Sequence, residues 1–317
     1  MAAMRILVTG DICLDRWCHY NPALSIPSRE TGIPRIAVTS TENTPGAAGT
    51  VAVNLRALGV KEVAVLGAIG DDGHGYELRQ ALAQRGIAAD LLLTEPGFAT
   101  FTYTKLLNAN LGAEDLPRVD FINANAIPAR LDEQICSMLD GARDFDLICV
   151  SDQAETDQGG VITARVRQRL AELAVRHNQL VWVDSRRRIE QFERAVLKVN
   201  HDEAAEARGR SGTATLKELR DRVKAPAVFV THSGNGIQII NDDGETWIMT
   251  RKVLDPVDVC GAGDSFTAGA ACALAAGATA EAAARLGHLV ASVTIMKKGT
   301  GFALPAELLE AERQLNQ

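Results

Sequence analysis

Short runs of β-branched and apolar residues alternate along this chain with stretches whose apolar positions recur at helical spacing. Residues 6–9 read as a buried strand, followed by a helix over about 46–58, a strand over 62–66, a helix over about 76–85 and a further β-rich run over 87–93. Gly59 and Gly86 stop the two helices. The rhythm resumes with runs over 131–139 and 145–150, a long helix over about 161–177, and strands over 180–184, 196–199 and 227–231. Alternation of this kind predicts an α/β fold with a mostly parallel central sheet and helices on both faces. Two segments break it. Over 12–40 and 99–122 polar and apolar residues alternate, as in Thr100-Phe101-Thr102-Tyr103-Thr104-Lys105 and Arg118-Val119-Asp120-Phe121, which predicts an antiparallel, half-exposed sheet. These two excursions are expected to form one small β lid on a single domain spanning residues 1–317.

Bulk properties narrow the function classes. The 317 residues carry a net charge of −7, with Lys and Arg interspersed among acids, so no nucleic-acid footprint is present. Six scattered cysteines without a C-x-x-C pair suggest reduced thiols and a cytoplasmic protein. Met1-Ala2-Ala3 leads straight into a strand-like run, so secretion is not expected. The alanine- and glycine-rich stretch over 266–284 ends in charged Glu281 and Arg285 and reads as a buried helix pair, so no membrane association is expected.

The segment Asp258-Val259-Cys260-Gly261-Ala262-Gly263-Asp264-Ser265-Phe266 joins a glycine-rich turn to a helix start. Glycines allow several backbone N–H groups to converge on one anion, and the helix dipole adds to them. A carboxylate at that point repels phosphate, so Asp264 makes sense as a group that accepts a proton from an attacking hydroxyl, with an N-cap as the competing account. Ligands in open α/β sheets settle at the carboxyl ends of strands. There lie Asp11 and Asp15, paired acids suited to sugar hydroxyls, or a turn aspartate and a solvated one. Asn200 and Glu203 follow a later strand and can reach a hydrated Mg²⁺ or phosphate, with helix capping as the alternative. Thr231 leads into the small-residue turn Ser233-Gly234-Asn235-Gly236, which leaves room for a base or ribose.

The order of these pieces resembles the ribokinase family of carbohydrate kinases, also called the phosphofructokinase B family, over nearly the whole chain. The resemblance implies a ribokinase-like fold and ATP-dependent phosphorylation of a sugar or sugar-phosphate hydroxyl, with Mg²⁺. It makes Asp264 the catalytic base and Gly261, Ala262 and Gly263 the anion hole. It puts Asn200 and Glu203 in the Asn-x-x-Glu motif for magnesium and phosphate, and Gly236, Gly299 and Thr300 around the nucleotide. Asp258 matches a position linked to the active-site turn and, in some members, to a monovalent cation such as K⁺. Asp11, Asp15, Gly46, Ala47, Thr50, Asp152 and Arg186 fall on the acceptor side. Within the family, GDICLDRW, Pro45-Gly46-Ala47-Ala48, Pro117-Arg118-Val119-Asp120-Phe121 and Val183-Asp184 are similar to the kinase half of bacterial heptose 7-phosphate kinase and adenylyltransferase proteins. Departures are Thr50 in place of an asparagine, Gln153 after Ser151-Asp152 without a following lysine, and His288 in place of an asparagine near the adenine site. No His-x-x-His pair occurs, so nucleotidyl transfer is not expected. Arg16, Arg35, Lys105, Arg118 and the run Arg186-Arg187-Arg188 supply cations for a phosphate already on the acceptor, or else solvated surface charge. A nucleoside or other small-alcohol kinase and a non-catalytic sugar or nucleotide sensor stay open as alternatives. The exposed lid is a surface through which two copies can pair.

Overall fold

The computed structural model describes residues 2–250 and 252–315. In chain order the first half contains β1 (Arg5–Gly10), β2 (Ile12–Tyr20), β3 (Val38–Ala47), α1 (Ala48–Ala57), β4 (Glu62–Gly70), α2 (Gly73–Ala83), β5 (Leu92–Glu95), β6 (Thr102–Asn108), β7 (Ala113–Glu114), β8 (Val119–Phe121) and α3 (Ala129–Asp140). There follow β9 (Leu147–Asp152), α4 (Ala164–Arg176), β10 (Val181–Ser185), β11 (Val196–Asn200), α5 (His201–Ser211), α6 (Leu216–Val223) and β12 (Val228–Thr231). The hairpin β13 (Ile237–Asn241) and β14 (Gly244–Ile248) precedes α7 (Ala262–Ala275), α8 (Ala280–Thr294) and α9 (Pro305–Leu315).

Among the described residues, nine strands form one sheet in the order β14-β13-β12-β11-β10-β9-β1-β4-β5, parallel except for the terminal hairpin. Strand β1 sits inside it because its side chains are apolar on both faces. Leu7 points into the core that packs against α3 and α4, while Ile6 and Val8 point into the core shared with α1 and α7. The chain reverses direction across the sheet between β1 and β9, and the carboxyl ends there open the crevice where ligands settle in such sheets. Helices α7 and α8 approach closely: a Cβ on Gly269 would lie 2.8 Å from Val290 Cγ2, and one on Gly287 would lie 2.8 Å from Phe266 O. That packing anchors the start of α7. Among the described residues no helix is long and apolar enough to cross a membrane, and all six cysteines are unpaired.

The second sheet runs β3-β2-β6-β7, with β8 also on β6. It is mixed, not antiparallel as the alternation suggested, because β2 and β6 are parallel neighbours. The two excursions enter it from the same edge of the main sheet, so their first strands run the same way. The first excursion is also longer than expected. Pro45, Gly46 and Ala47 pair with Leu14, Cys13 and Ile12, so the helix begins at Ala48 and not at Gly46. Residues 131–139 are helical, with Leu131, Ile135 and Leu139 buried on one face. The run over 87–93 contributes only a bridge at Ala88 before β5 begins at Leu92. Helix α4 starts at Ala164 because the Thr163 side chain caps it, accepting from Val166 N–H at 3.1 Å.

Ala47 joins β3 to α1 with φ +50° and ψ −119°, a conformation that a side chain disfavours. Ala47→Gly is therefore expected to stabilise the fold by about 1 kcal/mol, net of glycine's greater unfolded-state freedom. Chemical denaturation of the two proteins checks this.

Candidate active site

The turn before α7 is built by its neighbours. Asp258 Oδ1 accepts from Cys260 N–H at 2.9 Å and Oδ2 from Gly299 N–H at 3.1 Å, while the Val257 and Asp258 amides donate to Ile295 O. Gly261 then adopts φ +74°, which turns the chain sharply into the helix. The N–H groups of Gly263 and Asp264 fall in the first turn, where a helix supplies no acceptor of its own. They meet the positive end of the α7 dipole at the same place.

This turn is the wall between two cavities. On one side, Gly261 and Asp264 line a space of about 130 Å³ beneath the small sheet. On the other, Ala262 and Gly263 line a space of about 470 Å³ over the ends of β11 and β12. Two reactants placed in these cavities would meet across the turn, with Asp264 on the first side and Ala262 and Gly263 on the second.

The smaller cavity takes its chemistry from the register of the small sheet. Period-two alternation puts Asp15 and Trp17 on one face of β2 and Tyr103 and Lys105 on the same face of β6, and all four line the cavity. Arg118, Gln153 and Arg186 close it, together with Ala47 and Thr300. Burial pushes the Asp15 carboxyl up to about 7, against the pull of Lys105 and Arg118. Asp264 is pushed further, to about 8, by burial and then by the charge of Asp184, with Lys198 opposing. The three cations each rest on a carboxylate: Lys105 on Glu114 at 3.2 Å, Arg118 on Asp120 at 2.7 Å and Arg186 on Glu155 at 2.5 Å. Arg118 also lies 5.0 Å over the Tyr103 ring, which holds its guanidinium at the rim.

Gly46 does not line this cavity; it makes room for Asp15. A Cβ there would lie 2.5 Å from the Asp15 carboxyl carbon. Gly46→Ala is expected to swing that carboxylate aside and raise the acceptor KM about tenfold or more, leaving the nucleotide KM unchanged. Steady-state kinetics with each reactant varied in turn tests this.

The larger cavity is lined by Asn200, Thr231, Ser233, Gly236 and His288 among the residues expected around a nucleotide. His288 Nε2 lies 3.2 Å from Ser292 Oγ on the same wall. Asn200 and Glu203 form a reciprocal capping box on α5: Asn200 Oδ1 accepts from Glu203 N–H at 2.9 Å and Glu203 Oε2 from Asn200 N–H at 2.8 Å. Both residues thus serve as the helix cap, and of the two only Asn200 lines the larger cavity. Burial, then the charge of Asp184, holds the Glu203 carboxyl above its ordinary value. No group of three or more His, Cys, Asp or Glu side chains suited to a metal occurs among the described residues.

Several expected site residues serve the site from behind. Asp11 is buried, and its carboxylate accepts from the Gln153, Ala154 and Val161 amides, so it pins the 153–161 loop and lines neither cavity. Its likeness to Asp15 ends there, because the turn at Gly10 aims it at backbone. Asp152 is fully buried and committed to Arg188 and to Ser185 Oγ. Thr50 is buried too, with Oγ1 bonded to Pro45 O at 3.1 Å and its methyl against Gly261. Gly299 tethers Asp258 and packs under Trp17. Thr300, expected beside the nucleotide, borders the smaller cavity instead, where Thr44 Oγ1 lies 2.9 Å from its hydroxyl. Asp258 spends both carboxylate oxygens on amides, so its visible role is to hold the turn. Of the lid cations, Arg16 pairs with Glu77 at 3.4 Å, and Arg35 lies in the loop before β3 beside Leu24 and Ile26, lining neither cavity.

Residues given no role by the sequence complete the lining of the two cavities. Lys198 lines the larger cavity, and its one sequence signal is a charge inside the apolar strand Val196-Leu197-Lys198-Val199. Trp17 and Tyr103 line the smaller one through the register of β2 and β6, and Cys260 joins them from the turn before α7.

A mostly parallel sheet covered on both faces, with a glycine turn between two cavities at its carboxyl edge and a second small sheet above it, is a ribokinase-like fold. Residues 24–307 match the pfkB family carbohydrate kinase model, and the chain belongs to that family. It is 29% identical to the bifunctional protein HldE of Trichlorobacter lovleyi over 98% of this chain and 63% of that protein. The corresponding protein of Rhodopseudomonas palustris is 31% identical over 96% of this chain and 62% of its own length. The chain thus spans about three fifths of these curated relatives. In structure it is similar to phosphofructokinase-2 of Escherichia coli, with TM-score 0.75 and 17% identity over 99% of this chain and 100% of that one. It is similar also to a nucleoside kinase of Burkholderia thailandensis, with TM-score 0.74 and 18% identity over 96% and 99%. Membership makes the protein a kinase that phosphorylates an alcohol group.

Proposed function

We propose that the protein transfers the γ-phosphoryl group of ATP to a hydroxyl of a sugar that already bears a phosphate, with Asp264 as general base. The observation that carries this reading is the turn shared by two cavities, one holding Asp264 beneath three cations. ATP would lie in the larger cavity with its terminal phosphate over the amides of Gly263 and Asp264. The acceptor would lie beneath the small sheet acting as a lid, its hydroxyl against Asp264 and its sugar oxygens against Asp15. Lys105, Arg118 and Arg186 would exchange their carboxylate partners for the acceptor's phosphate, a charge-assisted contact of the stronger kind. Mg²⁺ would be held through water by Glu203, with Asn200 beside it, and when bound it neutralises phosphate charge. Asp264 takes the hydroxyl proton as the new O–P bond forms and the bond to ADP breaks, while the amides and the α7 dipole stabilise the spreading charge. Closure over the acceptor excludes water as a competing nucleophile.

A coupled ADP-release assay over hexoses, heptoses, their phosphates and nucleosides tests the proposal. ADP is expected with a phosphorylated sugar and little with its unphosphorylated counterpart. Equal turnover of the two would remove the cation cluster from acceptor recognition.

A further inference from the structure

Strand β11 buries Val196, Leu197 and Val199, and among them it carries a cation. The Lys198 side chain is only 6% exposed, yet it borders the larger cavity. Its Nζ donates to Asp184 Oδ2 at 2.7 Å, and Thr267 Oγ1 donates to the same oxygen at 3.4 Å. A Cβ on Gly263 would lie 3.0 Å from that Nζ, so the ammonium presses on the middle of the anion turn. Enclosing a charge in a core strand costs several kcal/mol, which an apolar residue there would avoid. Burial works against the ammonium, but Asp184 and then Glu203 outweigh it and keep Lys198 charged. An ammonium has three N–H donors, and the contact with Asp184 uses one of them.

We propose that Lys198 donates from beneath the turn to the phosphoryl group in transfer, with Asp184 holding the ammonium in position. This rests on the nucleotide placement proposed above. Lys198 keeps all its protons throughout: the hydroxyl proton goes to Asp264, and the electron pair of the breaking O–P bond leaves with ADP. The amides then fix the direction of the phosphoryl oxygens, and Lys198 supplies the full positive charge that amides lack.

Lys198→Met and the paired variant Asp184→Asn/Lys198→Met test the proposal beside the unaltered protein. The paired variant keeps the test open should the single one fail to fold, because it leaves no buried carboxylate unpaired. Titration with ADP and with the β,γ-imido analogue of ATP is compared with turnover of ATP. In both variants ADP affinity is expected to stay within about threefold, analogue affinity to fall about tenfold or more, and kcat to fall about a hundredfold. Equal weakening of ADP and analogue would overturn the proposal, as would recovery of kcat to near the unaltered value in the paired variant. Either result would mean that Lys198 only neutralises Asp184. Absence of ATP turnover in the unaltered protein would count against the proposed function instead, and Lys198 would then be judged on the ADP-to-analogue ratio alone.

Discussion

Asp264→Asn is expected to lower kcat by roughly a hundredfold to ten-thousandfold while leaving ATP and acceptor affinity nearly unchanged, because it removes a proton acceptor and little else. The same substitution should stabilise the fold at neutral and alkaline pH. In the folded protein the Asp264 carboxyl is pushed up from an ordinary value near 3.8 to about 8. The folded state therefore binds its proton more tightly than the unfolded chain does. The stability linked to that proton is fully present below about pH 4 and is lost progressively as pH rises toward 8. Asparagine never ionises, so it avoids this loss. The variant should thus unfold at higher temperature than the unaltered protein at pH 8, by a margin worth a few kcal/mol, and the two should converge near pH 4. Thermal unfolding across that range reads both ends. Lower stability of the variant at pH 8 would mean that the carboxylate is paired and not stranded. A stranded carboxylate is what a base needs and what a structural aspartate avoids.

Removing single cations from the smaller cavity should produce a large effect of a different kind, on acceptor binding. Lys105→Met and Arg118→Met are each expected to raise the KM for a phosphorylated acceptor about tenfold to hundredfold, the range for a hydrogen bond to a charged group. The KM for the matching unphosphorylated sugar should move by less than about threefold. Both residues lie on the small sheet, away from the 261–264 turn, so ATP affinity should hold. Their present partners, Glu114 and Asp120, lie toward the rim and are left solvated when the cation is removed. Loss of affinity for both kinds of sugar alike would instead mark these residues as supports of the small sheet.

How far the sequence discloses this site depends on how local each signal is. The 258–264 segment is contiguous, and its glycines carry their geometry with them, so the sharp turn into α7 with Asp264 at its start is legible without coordinates. Asp11 and Asp15 look alike in the sequence because both follow β1 within five residues. The structure separates them: the turn at Gly10 brings Asp11 onto the amides of the 153–161 loop, and alternation along β2 carries Asp15 to the cavity. That separation depends on a backbone 142 residues away, which no local pattern reports. Lys105 and Arg118 meet because β6 and β8 are antiparallel with Thr104 opposite Val119, so the next pair outward is Lys105 and Arg118. Register alone makes a cation cluster of two scattered residues. Asn200 and Glu203 show the opposite problem. Asn-x-x-Glu is both a capping box and a ligand motif, and the capping bonds are in place whether or not a ligand is bound. Helix α6 and strands β13 and β14 leave little mark in the sequence because they run for only 8, 5 and 5 residues, and α5 shows there only through its Asn200 cap.

The pH dependence of kcat/KM for the acceptor tests the central claim most directly, because it reports the ionisation of the free protein's essential base. If Asp264 takes the hydroxyl proton from its buried position, the rate should rise through an acid limb near pH 8 and level off above it. The limb should vanish from the residual activity of Asp264→Asn. A rate that is flat from pH 5 upward, or a limb unaltered in the variant, would contradict the assignment.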